Sequence, residues 1–350
     1  MEHPSVIGVM SGSSLDGIDL ALCRFEKTGD RWTFAIEKAV TEPLPGALRE
    51  RLLHATQADA LELARLHRDI GIAIGKACKE FRQGTDAALV ASHGHTVFHQ
   101  PGEGLTVQVG CGAQIAAITG LPVVCDFRTK DVALGGQGAP LVPFGERLLF
   151  PEHQAFVNLG GIANIAFHTA QKVIGYDVCP CNQALDFLAQ EAGKPYDADG
   201  AMARSGRVDE ALLAQLDSLS FYRQAPPRSL GREWFEEQLK PLIGGPLPLA
   251  GRLRTAVEHI AGLVAGELGR CGASTALVTG GGAHNSLLVE RIATLGPCKP
   301  ILPAVENINY KEALIFAFLG LMRWRGEVNT LASVTGAMRD SVGGAVYLPN

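Results

Sequence analysis

Two stretches of this chain follow one design, and that likeness constrains the fold more than any other feature. Val6 to Phe25 reads VIGVMSGSSLDGIDLALCRF, and Ala155 to Thr169 reads AFVNLGGIANIAFHT. Each is an apolar strand, a turn of small residues and a second apolar strand, with glycine where a positive φ is wanted. Placed so far apart, each hairpin is expected to open one domain of a duplicated architecture. A chain of 350 residues suits that reading, since a domain commonly takes roughly 100–200 residues.

Between and after the hairpins, helix and strand alternate. Ala58 to Phe81 carries apolar residues at helical spacing (Leu61, Leu63, Leu66, Ile70, Ile74, Ala77). Ala87 to Ala91, Leu105 to Val109 and Leu121 to Cys125 read as short buried strands. Gln114 to Thr119 reads as a helix stopped by Gly120 and Pro122. In the second half, Val173 to Tyr176 and Thr275 to Val278 read as strands, and Leu185 to Ala192, Arg252 to Leu268 and Lys311 to Arg323 as helices. This alternation predicts an α/β class.

Charge and composition exclude several functions. The formal net charge is −5, and no basic run exceeds the short Arg128 to Lys130, so nucleic acid is not expected as a partner. Charged residues make up 19% and hydrophobic residues 47%, which suits a packed core. The N-terminal MEHPSVIGVM lacks the basic stretch and apolar core of a signal peptide, and Ala313 to Met322 is too short to span a bilayer. The eight cysteines include no C-x-x-C pair, so reduced thiols and a cytoplasmic location are expected, with no membrane partner.

Three small-residue turns follow apolar strands: Ser11 to Ser14, Gly160-Gly161 and Gly280-Gly281-Gly282. Successive backbone N–H groups in such a turn point inward at an anion, so each could cradle phosphate or simply close a hairpin or cap a helix. None is a standard fingerprint. No G-x-x-x-x-G-K-[ST] occurs, and the triple glycine lacks dinucleotide-loop spacing. Ser92, His93, His95, Thr96 and His99 form a polar cluster after a buried strand, with His-x-His spacing that zinc also uses.

Six segments in this order resemble one family over nearly the whole chain: MSGSSLDGID (Met10 to Asp19), ASHGHTVFH (Ala91 to His99), DFRTKDVALGGQGAPLVP (Asp126 to Pro143), VNLGGIANI (Val157 to Ile165), GYDVCPCNQALD (Gly175 to Asp186) and VTGGGAHN (Val278 to Asn285). They look like anhydro-N-acetylmuramic acid kinase. The resemblance implies an α/β fold of two actin-like, ribonuclease H-like domains with an interdomain cleft. It implies use of ATP and Mg²⁺ to convert 1,6-anhydro-N-acetylmuramic acid and water into N-acetylmuramic acid 6-phosphate, in recycling of the cell wall. The domains are expected at 1–130, completed by 326–350, and at 131–325. The partners are then a small sugar and ATP, and a homodimer stays open.

Residue by residue, the resemblance assigns the first phosphate loop to Gly12, Ser13, Ser14, Leu15, Asp16, Gly17, Ile18 and Asp19, and the second to Gly160 and Gly161 with Asn164. Gly280, Gly281 and Gly282 would lie against adenosine. Asp16 and Asp19 would help place Mg²⁺ or fix the first hairpin; no residues are assigned to a resident metal. Asp177 falls on the family's catalytic base, expected at a strand end before a turn, with a turn or helix-capping role as the alternative. Opening a 1,6-anhydro ring needs a water activated for attack at the anomeric carbon, which a carboxylate base supplies. Glu312, second to Asp177, matches a substrate-contacting glutamate; its other role would be to favour the positive helix end, worth ~0.3–1 kcal/mol. Thr96, Arg128, Asp126 and Gln137 are the candidates to touch sugar. An arginine suits the lactyl carboxylate through bidentate pairing, unless Arg128 only neutralises Asp126 or Asp131.

The chain departs from the family after Asp177, where Cys179-Pro180-Cys181-Asn182 stands in place of Gly-Pro-Gly-Asn. A cysteine carries a β-carbon, so a positive φ there would be strained. Ser13 replaces the usual threonine and His95 the usual glutamine. Two further readings follow: a kinase for another sugar, or a nucleotide-binding regulatory module without turnover.

Overall fold

The protein is seen in a computed structural model that describes residues 4–12, 17–169, 173–226 and 228–349. The chain divides into two compact units, Met1–Pro151 with Tyr310–Asn350, and Glu152–Asn309. Among the described residues no helix is long and apolar enough to cross a membrane.

In the first unit, strands β1 (Ser5–Met10), β2 (Ile18–Thr28) and β3 (Arg31–Glu42) form an antiparallel meander. β4 (Ala87–Ser92) pairs parallel to β1. β5 (His95–Gln100) and β6 (Leu105–Val109) form a separate two-stranded hairpin. β7 (Val123–Cys125) then pairs parallel to β4, giving the order β3-β2-β1-β4-β7. Helix α1 (Ala60–Phe81) starts where the Asp59 side chain accepts the Glu62 N–H, and it buries Leu66, Ile70, Ile74 and Cys78 along one face. Gly71 on that face permits a close pass, since a β-carbon there would sit 2.7 Å from the Cys111 nitrogen, just before α2 (Gly112–Thr119). Gly120 ends α2 at φ 65°, as the sequence predicts. A third helix, α3 (Val142–Leu149), buries Phe144 and Glu146.

The second unit repeats this topology. β8 (Ala155–Leu159), β9 (Ile162–His168) and β10 (Val173–Pro180) form an antiparallel meander. Helices α4 (Asn182–Gln190) and α5 (Leu249–Cys271) follow. β11 (Thr275–Thr279) pairs parallel to β8; then come α6 (Ser286–Leu295) and β12 (Lys299–Ile301), which pairs parallel to β11. The order β10-β9-β8-β11-β12 is the same three-two-one-four-five path, with the same strand senses as in the first unit. The two look-alike hairpins are thus β1-β2 and β8-β9, and the chain is a duplicated ribonuclease H-like α/β protein. α5 runs through the second core with Val257, Ile260, Ala261, Val264 and Leu268 buried.

The chain returns to the first unit inside helix α7 (Val305–Arg325), at Tyr310, whose φ of −118° interrupts the helical path. The returning half is almost wholly buried. Phe318 packs on Phe25, Trp32 and Phe144, and Phe316 on His93 and Phe127. A β-carbon on Gly8 of β1 would collide with the Ala313 carbonyl, so glycine alone lets the helix approach. β13 (Ala345–Tyr347) closes the first sheet against β7. Residues 131–151 and 310–325 therefore lie in the first unit, beyond the 1–130 and 326–350 read from the sequence. The cause is packing: Phe144, Phe316 and Phe318 share one core.

Candidate functional site

In the first unit the candidate residues gather at the ends of β1 and β4. Ser13, Ser14, Leu15 and Asp16 lie outside the described residues. On either side of them, Ser11 is buried and its hydroxyl pairs with His95 Nδ1 at 3.2 Å, while Gly12 is half-buried. Gly17 leaves no room for a side chain, because a β-carbon would sit 2.6 Å from Thr41 Cγ2 and 2.8 Å from the Glu42 carbonyl oxygen. Ile18 is core. Asp19, opposite Met10 on β1, accepts a hydrogen bond from Thr41 Oγ1 at 2.6 Å. Beside His93, Ser92 buries a hydroxyl that has no partner among the described residues.

Arg128 does not neutralise Asp126 or Asp131. Its Nε donates to His93 Nε2 at 2.9 Å and its Nη1 to the Gly138 carbonyl at 2.7 Å. Asp131 is fully engaged elsewhere, accepting from the Gly138 N–H at 2.8 Å and from Thr335 Oγ1 at 2.7 Å. Those bonds tie the loop 128–138 to the C-terminal segment, and Gln137 adds its own N–H to the Thr335 carbonyl at 2.8 Å. The Gln137 side chain is exposed. Asp126 sits in the left-handed region at φ 55°, a cost of about 1–3 kcal/mol for a residue with a β-carbon. Thr96 Oγ1 accepts from Gln108 Nε2 at 3.3 Å. Burial pushes the Arg128 guanidinium down to about 10, while Glu312 pulls it back up.

Glu312 stands in the first turn of the apolar half of α7, just past the interruption at Tyr310. Burial raises its carboxyl above the usual range, Lys311 and Arg128 oppose that rise, and Asp19 and Glu146 add to it. Its neighbour Lys311 is buried against Glu146 at 2.8 Å. One polar cluster thus joins Arg128, Glu312 and Asp19 in the first unit.

In the second unit the strand register lines up a polar row. Thr279 of β11, Asn158 of β8, Asn164 of β9 and Asp177 of β10 are successive cross-sheet partners. Directly opposite residues share a sheet face, so the row presents a hydroxyl, two amides and a carboxylate together. Thr279 buries a hydroxyl with no partner among the described residues. Asp177 lies within β10 rather than at its end, just before a β-bulge between Asp177 and Cys179. Bulges of this kind re-aim side chains and are over-represented beside active sites.

Asp177 caps no helix. Its Oδ2 accepts from the Leu230 N–H at 2.9 Å, its own N–H donates to the Arg228 carbonyl at 3.0 Å, and its carbonyl accepts from Arg228 Nε at 3.1 Å. Burial raises the carboxyl above its ordinary range, and the Leu230 N–H and the Arg228 charge pull it partly back. A half-buried carboxyl with a raised affinity for protons is suited to general-base work.

The Gly160-Gly161 turn is held from behind. The Cys181 and Gln183 N–H groups donate to the Gly161 carbonyl at 2.8 and 3.1 Å, and Asn182 N–H donates to the Gly160 carbonyl at 3.0 Å. Asn182 Nδ2 also donates to the Leu159 carbonyl at 3.1 Å. Gly280 needs its glycine twice over: φ is 84°, and a β-carbon would sit 2.5 Å from Asn158 Oδ1. Gly281 and Gly282 follow in a short 3₁₀ turn that leads to Asn285, whose side chain caps α6 by accepting the Leu288 N–H at 3.1 Å.

Neither Cys179 nor Cys181 takes a positive φ. The positive-φ residues other than glycine among those described are Asp126 and Asp199, and Cys181 has φ −118°. Both thiols are buried in the second core, with Cys181 pushed up to about 12 by burial. Burial disfavours the thiolate, the form that reacts as nucleophile and metal ligand. The histidines are engaged as well, His99 Nδ1 pairing with Thr106 Oγ1 at 3.1 Å.

Sequence reasoning missed Arg228, Glu267, Asn158, Thr279 and the partnership of Arg128 with His93. Asn158 was legible in hindsight, since VNLGGIANI places it six residues before Asn164 across a two-glycine turn, opposite it in the hairpin. Arg228 left no local signal of its role, because the contacts that join it to Asp177 and Glu267 are remote in sequence.

Comparison with known proteins bears on these residues as a set. The family described as anhydro-N-acetylmuramic acid kinase matches residues 4–349. A protein of that name from Shewanella amazonensis is 37% identical, over 99% of this chain and 99% of its own, and one from Vibrio cholerae is 36% identical over 100% of both. Among solved structures, a ROK family glucokinase from Streptomyces griseus in complex with glucose and AMPPNP covers 91% of this chain and 99% of its own, at 15% identity and a TM-score of 0.45. With the match to the family running from end to end, the chain belongs to the anhydro-N-acetylmuramic acid kinase family.

Proposed function

We propose that this protein is an ATP-dependent kinase that opens 1,6-anhydro-N-acetylmuramic acid with water and phosphorylates O6, giving N-acetylmuramic acid 6-phosphate in cell-wall recycling. Membership of the family supports the activity. The observation that carries the mechanism is the Asp177 carboxylate, half-buried beside a β-bulge with one oxygen held by the Leu230 N–H.

Asp177 acts as general base. It takes a proton from water as the water oxygen bonds to the anomeric carbon and the bond from that carbon to O6 breaks. O6 leaves with the electron pair and bonds to the γ-phosphorus of ATP in place of a proton, as the bond from that phosphorus to the β-phosphate oxygen breaks and ADP leaves with its electrons. Arg128 meets the lactyl carboxylate, its guanidinium aimed by His93 and the Gly138 carbonyl. Thr96, Asp126 and Gln137 complete sugar contacts, and Glu312 touches the substrate.

Nucleotide and metal fit the residues present. The buried Thr279 hydroxyl lacks a partner beside Gly280, and Asn158 and Asn164 offer amides next to the Gly160-Gly161 turn. The first loop, Gly12 to Asp19, holds phosphate through its backbone, and Gly280 to Gly282 lie against adenosine. Asp19 supplies the hard oxygen that Mg²⁺ prefers. When bound, the metal neutralises charge on the transferring phosphoryl group. The setting is the cytoplasm, in keeping with eight free thiols.

The test is turnover of 1,6-anhydro-N-acetylmuramic acid with ATP and Mg²⁺ in ¹⁸O-labelled water. Label is expected at the anomeric oxygen of the product and not in the phosphate. Turnover of a panel of other sugars, with none of the anhydro sugar, would overturn the assignment.

A further inference from the structure

Behind Asp177 lies a buried ionic network that the base itself does not explain. The Arg228 and Glu267 side chains are 2% and 4% exposed, and they pair at 2.7 Å through Nη2 and Oε1. Every nitrogen of the guanidinium is engaged: Nε donates to the Asp177 carbonyl at 3.1 Å, and Nη1 to the Tyr222 and Gln224 carbonyls at 3.3 and 2.9 Å. The rings of Tyr176 and Phe221 lie 5.4 and 5.2 Å from it. Glu267 is equally saturated. Its Oε1 also accepts from Arg270 Nη1 at 2.6 Å, and its Oε2 from the Tyr176 hydroxyl at 2.8 Å.

A buried ion pair is weak evidence for stability, since an apolar pair of the same shape often does as well. The retention of this one calls for another role, and its contacts supply one. Arg228 binds the backbone of Asp177 on both sides of the residue, and two residues further on Leu230 N–H takes Oδ2. Oδ1 is then left with no partner among the described residues. We propose that Arg228, held in place by Glu267, is the positioning residue for Asp177: it holds the backbone on both sides of that residue and so fixes the direction of its carboxylate. Glu267 tempers the Arg228 charge, so the pair acts as a tuned field rather than a bare cation. This rests on the reading of Asp177 as general base.

The charged and titratable groups around Asp177 in this unit are Arg228 and, behind it, Glu267, Arg270, Tyr176 and Cys179. Removing the Arg228 charge leaves burial less opposed, so the Asp177 carboxyl rises. Removing the Glu267 charge leaves Arg228 less balanced, so it falls. The experiment is the pH profile of kcat/KM for the anhydro sugar in Arg228→Gln, Glu267→Gln and Arg228→Lys, with KM for ATP and thermal melts measured alongside. Turnover is expected to fall about 10- to 100-fold in each, the range found when outer partners of a functional ligand are lost. The acid limb should move up in Arg228→Gln, move down in Glu267→Gln and stay in place in Arg228→Lys, which keeps the charge but loses the fork. KM for ATP should hold. Folded variants with slowed turnover and an unmoved acid limb would overturn the proposal, as would shifts of one sign in both glutamine variants. If Arg228→Gln does not fold, the downward shift in Glu267→Gln decides alone. Asp177→Asn turning over at the wild-type rate would instead remove the base reading itself.

Discussion

Arg128 donates from Nε to Nε2 of His93 at 2.9 Å, and this bond fixes which nitrogen of the imidazole carries the proton. Nε2 must offer its lone pair, so the proton sits on Nδ1, which donates to the Gly94 carbonyl at 3.0 Å. His93 is neutral, its proton affinity held well below the usual range by burial and by Arg128. In the unfolded chain it titrates near ~6.5. Below that pH the unfolded state binds more protons than the folded state, so the His93 contribution to stability is complete above it and is lost as pH falls. The stability difference between the wild type and His93→Gln should therefore shrink from pH 7.5 to pH 5, read from urea midpoints. A gap that widens on acidification would contradict the assigned tautomer.

Asp177→Asn should lose turnover by roughly 10²–10⁴-fold, the contribution typical of a positioned base. The isosteric amide keeps an acceptor for the Leu230 N–H, so the fold and ATP binding should survive. Calorimetric titration with ATP, beside a turnover assay, separates the two effects.

The Glu146–Lys311 pair joins α3 to α7 within the first core. Lys311→Met alone should cost about 3–5 kcal/mol, because it removes the opposite charge beside a buried carboxylate. Adding Glu146→Leu should recover most of that loss. Chemical denaturation of the two single variants and the double variant gives the coupling directly.

Gly280→Ala should be tolerated poorly. Its φ of 84° costs about 1–3 kcal/mol for a residue with a β-carbon, and the added carbon meets Asn158 Oδ1 at 2.5 Å. A lowered melting temperature with weakened ATP binding is expected, whereas Gly262→Ala, with open space around it in α5, should be neutral or stabilising.

A thiol reagent at pH 8 should label the half-buried Cys111 and Cys271 first. Cys179 and Cys181 should react only on unfolding, because burial keeps both protonated. Mass spectrometry of peptides after timed quenching reads the order.

Much of the frame was legible because the signals were local. Both hairpins, α1 and the stop at Gly120 follow from periodicity and turn chemistry carried within a few residues. β3 escaped notice because RWTFAIEKAVTE is an exposed edge, where alternation is diluted by charge. The first turns of α7 escaped because Glu306, Asn307 and Asn309 dilute the apolar pattern before Lys311. Asp177 was found through resemblance, but its surroundings were not: Arg228 and Leu230 reach it across more than fifty residues, and no spacing rule spans that distance. The cysteine substitutions looked like a source of strained positive φ, and neither cysteine takes one.

The return of the chain at Tyr310 sets an order of events during synthesis. Residues 152–309 form the second unit without interruption and can fold as they leave the ribosome, whereas the first unit stays without Phe316, Phe318 and β13 until the chain beyond residue 309 has been made. The first unit, begun before the second, is thus completed only after it.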